Sequence, residues 1–461
     1  MRLKKLAVVT AIGISATGIQ AQTDQSDQAT LIKQLIQRIE ELEQKVKIQD
    51  RKLEIDKEAS AEKAKTTPVV SLGASGFSVR SPDTNFVFRL RGYVQADGRY
   101  FIDDNVAGGV NDQFLLRRVR PIIEGTAFKN YDYRIMLDFP SNVGVGAANN
   151  GLLQDAYVTA KYYPWLNITA GKFKEPVGLE RLQSGANLLF NERAYPTQLL
   201  PNRDLGIQLS GTVLDNRLEY ALGIFNGVAN GGSGDADAAD DDKDLAARLF
   251  ATPFINSDNE WIQGLGFGVA GTVGNNKTAL RGHQSPGQQT AFAYNAGVVG
   301  DGELWRISPQ AYYYKGSFGA IAEYAIAHQS IRTAANTVNT LNHSGWQVAA
   351  SYFLTGEKNS FKAVSPAQPF TVGSEGWGAF ELSARVSGLD LDDESFPTFA
   401  NANTSATEAL SWAVGVNCHL NRFLKLSLSY EQTDFDTQGN APSPLLDKGE
   451  KVVFSRVQFS F

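Results

Sequence analysis

The sequence has a single cysteine, Cys418, among its 461 residues, so an intrachain disulfide bond is excluded. It also has only four histidines, which are His283, His328, His343 and His419. None of them has zinc-ligand spacing, and none lies in a local nucleophile motif with Asp and Ser. We therefore expect no catalytic residue, no metal site and no cofactor.

Long hydrophobic runs are absent after the first residues, and a membrane-spanning helix would need about 20 apolar residues. The start of the chain, "MRLKK" followed by "LAVVTAIGISATGI", is typical of a signal peptide that ends at Ala21. We predict that residues 1–21 are removed and that the protein is exported. The 43 basic residues are outnumbered by 49 acidic ones. No nucleic-acid partner is expected.

A helical pattern occupies residues 28–58, which contain no Gly or Pro. Apolar residues recur there at alternating intervals of three and four, a spacing typical of the seam of a coiled coil. The seam residues are Ile32, Leu35, Ile39, Leu42, Val46, Gln49 and Leu53. We predict that residues 22–66 form a periplasmic coiled-coil segment and a polar linker, "ASAEKAKTTP". A lone solvated helix is the alternative.

From about residue 86 the pattern changes to a period of two, which is typical of β-strands. In the final segment, "KVVFSRVQFSF", Val457, Phe459 and Phe461 lie on one face of the strand, and Arg456 and Gln458 lie on the other. A soluble sheet would turn the apolar face towards a core, whereas an outer-membrane barrel turns it towards lipid.

The connections between these strands favour the barrel, because short turns such as "KNYD" and "LDNR" alternate with long loops. We assign "AFAYNAGVVG" to a hairpin within the fifth long loop rather than to the barrel wall. The strands then number about 16, and the last strand must pair with the first, because an open edge in lipid would leave backbone groups unsatisfied. The predicted fold is all-β, a 16-stranded antiparallel transmembrane β-barrel over residues 67–461 in the outer membrane, with an N-terminal coiled-coil helix.

About 16 strands enclose a water-filled channel whose inward side chains select the solute. In the first strands Arg89, Arg91, Arg118 and Arg120 have the inward phase, while Arg117 has the opposite phase and is expected near a bulge or the mouth. Acidic residues share the lumen face. A basic track for anions and a field of mixed ion pairs with weak preference both remain open.

Several segments resemble the phosphate-selective porin O and P family. These are "FKEPVGLERL" with "NERAYP", "RRVRPIIEGTAFKNYDYRIMLDF", "LQDAYVTAKYYP" and "GWGAFELSARVSGLD". The resemblance implies a homotrimer whose third external loop folds into the barrel and whose Arg and Lys side chains conduct anions. The residues that match by motif are Arg117, Arg118, Lys172, Lys174, Arg181, Arg193 and Arg203. Strand phase leaves open which of Lys172 and Lys174 points inward.

We therefore expect an outer-membrane porin for passive uptake of small anions, with phosphate or polyphosphate as candidate solutes. A general diffusion porin for small hydrophilic solutes is the alternative, and a barrel that merely anchors the rod is a second. The expected partners are inorganic anions or small hydrophilic solutes, outer-membrane lipid, two further copies of the chain and, through the coiled coil, the cell wall. The acidic loop "GDADAADDDKD" is interpreted as solvated surface, since it lacks an ordered calcium-loop pattern.

Overall fold

The computed structural model describes residues 25–73, 76–102, 111–139, 152–235, 241–373 and 375–461. The chain divides into two compact units between Thr67 and Pro68. The predicted signal peptide, the long loop "SNVGVGAANN" and the loop that follows Asp103 lie outside the described residues.

The first unit contains one helix, α1 (Gln25–Thr66). The prediction of a polar linker after residue 58 is therefore wrong. The segment is rich in Ala, Glu and Lys, which favour helix, and the helix ends just before Pro68, which disfavours helical backbone in the residue before it. The apolar seam, including Leu35 and Leu42, is exposed along the helix in the single chain. Its pairing in a coiled coil stays a prediction.

The second unit is built from strands. In the described residues these are β1 (Val69–Gly73), β2 (Gly76–Arg80), β3 (Val87–Phe101), β4 (Gln113–Ala127), β5 (Tyr131–Leu137), β6 (Leu153–Tyr163), β7 (Leu166–Lys174), β8 (Arg203–Val213), β9 (Leu218–Phe225), β10 (Asp244–Ala251), β11 (Leu265–Asn276), β12 (His283–Gln284), β13 (Thr290–Phe292), β14 (Val299–Lys315), β15 (Phe318–Arg332), β16 (Val338–Phe353), β17 (Ala379–Asp390), β18 (Glu408–His419), β19 (Leu424–Asp436) and β20 (Glu450–Ser460).

Strands β3 to β11 and β14 to β20 form a closed antiparallel barrel of sixteen strands within the described residues. Each pairs with its neighbour along the chain, and β20 returns to pair with β3. At this seam the N–H of Gly92 donates to the carbonyl oxygen of Phe461 at 2.9 Å, and the N–H of Phe461 donates back at 3.0 Å. The predicted 16-stranded closed barrel is confirmed.

The two faces of the wall differ as the alternation predicts. In β20, Val457 is 51% exposed and Phe459 50%, whereas Arg456 is 4% exposed and Gln458 6%. The apolar side chains point outward and the polar ones point into the barrel. This is the arrangement that places hydrocarbon against lipid and satisfies the backbone within the sheet.

The connection between β11 and β14 contains a two-stranded hairpin of β12 and β13, separate from the barrel sheet. The predicted hairpin in the fifth long loop is thus present, but it begins earlier than "AFAYNAGVVG", whose last two residues, Val299 and Gly300, begin barrel strand β14. Short helices occupy other connections of the described residues: α2 (Leu179–Leu182), α3 (Pro196–Leu199), α4 (Glu260–Gln263) and α5 (Pro444–Lys448). No helix in the described part of the chain is long and apolar enough to cross a membrane.

A hairpin of β1 and β2 precedes the barrel and was not predicted from the sequence. β2 pairs with the first half of β3, where Phe77 lies opposite Leu90, while β20 pairs with the second half. The hairpin therefore extends the wall beyond the end of β20. Its rim also carries short turns such as that between β4 and β5, and short turns mark the periplasmic rim in outer-membrane barrels.

Candidate functional site: the lumen and its infolded loop

Residues 175–202, called here the infolded loop, connect β7 and β8 through the interior of the barrel. Val177, Leu199 and Leu200 of this loop are fully buried and pack in one apolar cluster with inward residues of the wall. Small side chains at inward positions, such as Ala325 and Ala327, leave space for the loop. The loop is therefore part of the packed interior.

Inward charged groups of the wall bind the backbone of the infolded loop. The Glu323 carboxylate accepts hydrogen bonds from the N–H groups of Leu179 at 2.6 Å and Glu180 at 3.2 Å. On other strands, Lys425 donates to the carbonyl oxygen of Leu188 at 2.9 Å. A loop in the lumen needs such partners, because its peptide groups would otherwise be buried without hydrogen bonds.

Three arginines from β3 and β4 surround one carboxylate of the loop, Glu192. Arg117 binds it in bidentate fashion, with Nε 2.5 Å from Oε1 and a terminal nitrogen 2.9 Å from Oε2. Arg99 approaches to 3.2 Å and Arg118 to 3.8 Å. We call these four residues the Glu192 clasp. Burial alone would raise the pKa of Glu192, but the charges of Arg117, Arg118 and Arg99 hold it well below its usual range.

Arg117 reaches Glu192 because it is the extra residue of a β-bulge. Gln95 pairs with Arg118 and Ala96 pairs with Leu116, so Arg117 has no partner on β3. A bulge turns a side chain out of the regular alternation. Of the two positions expected for Arg117, near a bulge or near the mouth, the structure shows the bulge.

Three other cations of this region are bound by neutral carbonyl oxygens. Lys174 donates to the Gln183 oxygen at 2.8 Å, and Arg193 donates to the same oxygen at 2.8 Å. Arg181 donates to the carbonyl oxygen of Thr197. None of the three forms an ion pair with a carboxylate within the described residues, so no carboxylate compensates the cluster by direct contact.

The environment leaves these loop arginines protonated at neutral pH. Burial, followed by the charges of Arg193 and Arg203, lowers the pKa of Arg181 to about 9. Burial also lowers the pKa of Arg193 to about 10, with Arg120 and Arg203 adding to the shift and Glu180 opposing it. Both groups are therefore cationic over the physiological range.

A cavity of about 1620 Å³ opens from this cluster towards the rim that carries the β1–β2 hairpin. Within the described residues, ten basic side chains and three acidic ones line it. The acidic residues are Glu124, Asp155 and Glu381. The basic residues are Arg80, Arg89, Arg91, Arg120, Arg134, Lys174, Arg203, Lys362, Arg422 and Lys425. The lining therefore has a clear surplus of positive charge.

The sequence-predicted residues fall into three groups in the structure. One group lines the cavity, and its members are Arg89, Arg91, Arg120, Lys174 and Arg203. A second group lies in or against the infolded loop, and its members are Arg117, Arg118, Arg181 and Arg193. Lys172 stands apart, since it is buried and pairs with Asp235 of the acidic loop. Of the two lysines, Lys174 is thus the one that lines the cavity.

Sequence reasoning missed several bases of the lining. Arg134 lies opposite Glu124 in the β4–β5 register and also contacts Asp155 at 3.0 Å. Its alternation with Asp132 and Met136 in "YDYRIML" was a usable signal for an inward position. Lys362 lies in a connection that follows β16, and no strand pattern could have placed it there.

The acidic loop is described only in part, since residues 236–240 lie outside the described residues. Asp242 forms an ion pair with Lys277 at 2.7 Å. Among the described residues, no group of three or more His, Cys, Asp or Glu is arranged to hold a metal ion.

Comparison with known proteins assigns the family. The family model described as phosphate-selective porin O and P matches residues 88–461. Porin O of Pseudomonas aeruginosa is 26% identical over 422 residues, which cover 84% of this chain and 91% of that protein.

Two solved structures share the fold at low sequence identity. The outer membrane channel DcaP of Acinetobacter baumannii has a TM-score of 0.52 and 12% identity, covering 82% of this chain and 98% of that one. The anion-selective porin from Comamonas acidovorans has a TM-score of 0.50 and 12% identity, covering 82% of this chain and 100% of that one. The family and the fold are those of a channel rather than of an enzyme. The chain belongs to the phosphate-selective porin O and P family and is a porin of the outer membrane.

Proposed function

We propose that this porin conducts small inorganic anions by passive diffusion, with phosphate among its solutes. The observation that carries the proposal is the cavity lining, in which ten basic side chains face three acidic ones within the described residues. The name of the family supports the same solute class. A lumen with this charge concentrates anions and repels cations.

The proposed path begins at the basic side chains of the infolded loop region that are bound by carbonyl oxygens. It continues along the basic side chains of the cavity lining. We assign it to Lys174, Arg181 and Arg193, and then to further bases of the lining, Arg120 and Arg203. Arg120 is paired with Asp138 at 2.7 Å and Arg203 with Asp155 at 2.7 Å. Guanidinium groups suit oxyanions, because their planar fork donates two parallel hydrogen bonds. Several partly compensated sites in series keep binding weak enough for the ion to leave.

Beyond this cluster, the lining near the β1–β2 hairpin continues the positive charge. Arg80, Arg89, Lys362 and Arg422 form no ion pair with a carboxylate in the described part of the chain, whereas Arg91 binds Glu124 at 2.7 Å. We assign Arg89 and Arg91 to the anion path at this rim.

A general diffusion porin with weak charge preference is the second candidate. The many compensated pairs of the interior favour it, such as Arg456 with Asp97 at 2.6 Å and Arg385 with Glu431 at 2.7 Å. These pairs are buried and lie outside the cavity lining. They therefore contribute little to the charge that a solute meets.

Reversal-potential measurements in planar bilayers distinguish the two candidates. In a potassium chloride gradient, the anion channel gives a reversal potential near that of chloride, and added phosphate reduces the chloride current. A reversal potential near zero supports the general porin. A reversal potential on the potassium side contradicts the anion path.

We further propose that the chain is a homotrimer whose α1 helices associate through the Ile32 to Leu53 seam. The seam has the heptad spacing of a coiled coil and is exposed in the single chain. Residues 1–21 act as a signal peptide in this proposal, and the rod contacts the cell wall. Deletion of residues 28–58 tests it: monomers on native gels support a role in assembly, and intact trimers show that the barrel assembles without the rod.

A further inference from the structure

The basic side chains of this region form two sets. Lys174, Arg181 and Arg193 bind carbonyl oxygens, as described above. Arg99, Arg117 and Arg118 instead converge on one carboxylate. The adjacent loop residues Glu192 and Arg193 thus belong to different sets.

The clasp arginines are removed from solvent to different degrees. The Arg99 side chain is fully buried and that of Arg118 is 3% exposed, while that of Arg117 remains 25% exposed. Arg118 also donates to Gln95 Oε1 at 2.8 Å. Arg117 is therefore the most exposed cation of the clasp, none of whose four residues belongs to the cavity lining, and Glu192 is the carboxylate that compensates it.

The neighbouring charges do not replace Glu192. Asp97 and Asp138 also lie near the clasp, but each is bound by another arginine: Asp97 by Arg456 with two hydrogen bonds of 2.6 Å, and Asp138 by Arg120 at 2.7 Å. Arg385, on the opposite wall, donates to the main-chain oxygen of Glu192 at 2.9 Å and leaves its carboxylate free for the clasp. The side chain of Glu192 is thus the counter-charge of three arginines.

We propose that Glu192 limits the anion preference of the channel, because its carboxylate compensates Arg117 and its neighbours and withholds them from the solute. The inference rests on the proposed anion channel. It assigns Glu192, an acidic residue, a role in determining the specificity of that channel. Arg117 and Arg118 then act as positioning residues that hold the infolded loop. They do not contact the anion.

The test is Glu192→Gln, which keeps the shape of the side chain and removes its charge. We expect the anion-to-cation permeability ratio to rise about two- to fourfold at low salt, since one positive charge is uncovered at the edge of the lumen. The increase should shrink as salt rises towards 1 M, because exposed charges are screened. Glu192→Asp should retain the ratio of the wild type.

Two further variants and a control show whether the effect depends on the pair of Glu192 and Arg117. Arg117→Gln should shift selectivity in the opposite direction, and the double variant Glu192→Gln with Arg117→Gln should return close to the wild type. Glu260→Gln is the matched control, since Glu260 is an exposed carboxylate of α4 outside the cavity lining. If Glu192→Gln does not assemble, the change of the anion-to-cation permeability ratio in Arg117→Gln tests the proposal.

Unchanged reversal potentials in Glu192→Gln and Arg117→Gln overturn the proposal. A larger conductance with reduced anion preference in Glu192→Gln also overturns it, because that result would show that the infolded loop no longer packs against the wall. A wild type that prefers cations contradicts the anion channel itself. In that case the difference in permeability ratio between Glu192→Gln and the wild type still tests the proposed role of Glu192.

Discussion

Lys174 and Arg193 donate hydrogen bonds to one acceptor, the carbonyl oxygen of Gln183, at 2.8 Å each. Lys174 ends strand β7, and Arg193 lies nineteen residues later in the infolded loop. Both side chains are thus oriented by a neutral oxygen and not by a carboxylate. The pair joins the wall to the infolded loop.

Loss of either of these two cations should weaken anion preference. For Lys174→Gln and for Arg193→Gln we expect the anion-to-cation permeability ratio to fall about two- to threefold in 0.1 M salt, because one charge close to the path is removed. Reversal potentials measure the ratio. Lys161→Gln is the control, since Lys161 is an exposed cation paired with Asp132 outside the cavity lining. Equal ratios in all four proteins would remove Lys174 and Arg193 from the path.

The contribution of Arg193 to the anion preference should not depend on pH between about pH 7 and pH 8.5. The pKa of Arg181 is lowered to about 9 and that of Arg193 to about 10, so both groups stay protonated throughout this interval. Reversal potentials of wild type and Arg193→Gln across the interval at constant salt provide the measurement. A difference between the two proteins that declines below pH 8.5 would contradict a permanently charged Arg193.

The pair of Arg456 and Asp97 should stabilise the seam where β20 closes on β3. Both side chains are buried and joined by two hydrogen bonds of 2.6 Å. In Asp97→Asn the arginine keeps its charge without a carboxylate, and a broken buried pair costs about 3–5 kcal/mol. We expect a lower melting temperature in detergent. The double variant with Arg456→Gln should lose less than the single one, and the reverse order would contradict an ion-pair role.

The contribution of Glu192 to stability should disappear in acid. Its pKa in the folded protein lies below the ordinary value of 4.5, so its ionised form is favoured by folding. The stability difference between wild type and Glu192→Gln is therefore complete above about pH 5 and decreases as the pH falls through the folded pKa. Melting temperatures in detergent at neutral and acidic pH provide the comparison. A difference that grows in acid would contradict the clasp.

Most of the barrel could be predicted from the sequence, because apolar and polar side chains must alternate with a period of two along the strands of a membrane wall. Val457, Phe459 and Gln458 show the principle, and so does the short hairpin of the fifth long loop. The β1–β2 hairpin was missed, since five-residue strands with one exposed face give a weak pattern. Helix α1 continues eight residues beyond the predicted end at residue 58. The polar composition of this segment is typical of a linker, but its Ala, Glu and Lys residues favour helix.

The candidate site was only partly readable. Motif matches brought together Arg117, Lys174 and Arg193, but they could not show which cations face a carboxylate and which face a carbonyl oxygen. Lys362 reaches the lumen from a connection without strand periodicity, and Arg134 was overlooked although its phase was inward.

By itself the amino-acid order determined the local properties of this protein: a closed sheet with an apolar outside, a polar inside and a long loop after β7. These follow from side-chain spacing along one strand, which is a short-range property. Only the tertiary structure decided how charge is distributed across the lumen, since Glu192 meets Arg117, 75 residues earlier, and Arg99, 93 residues earlier. Whether an arginine is compensated depends on such distant neighbours, and selectivity depends on that compensation.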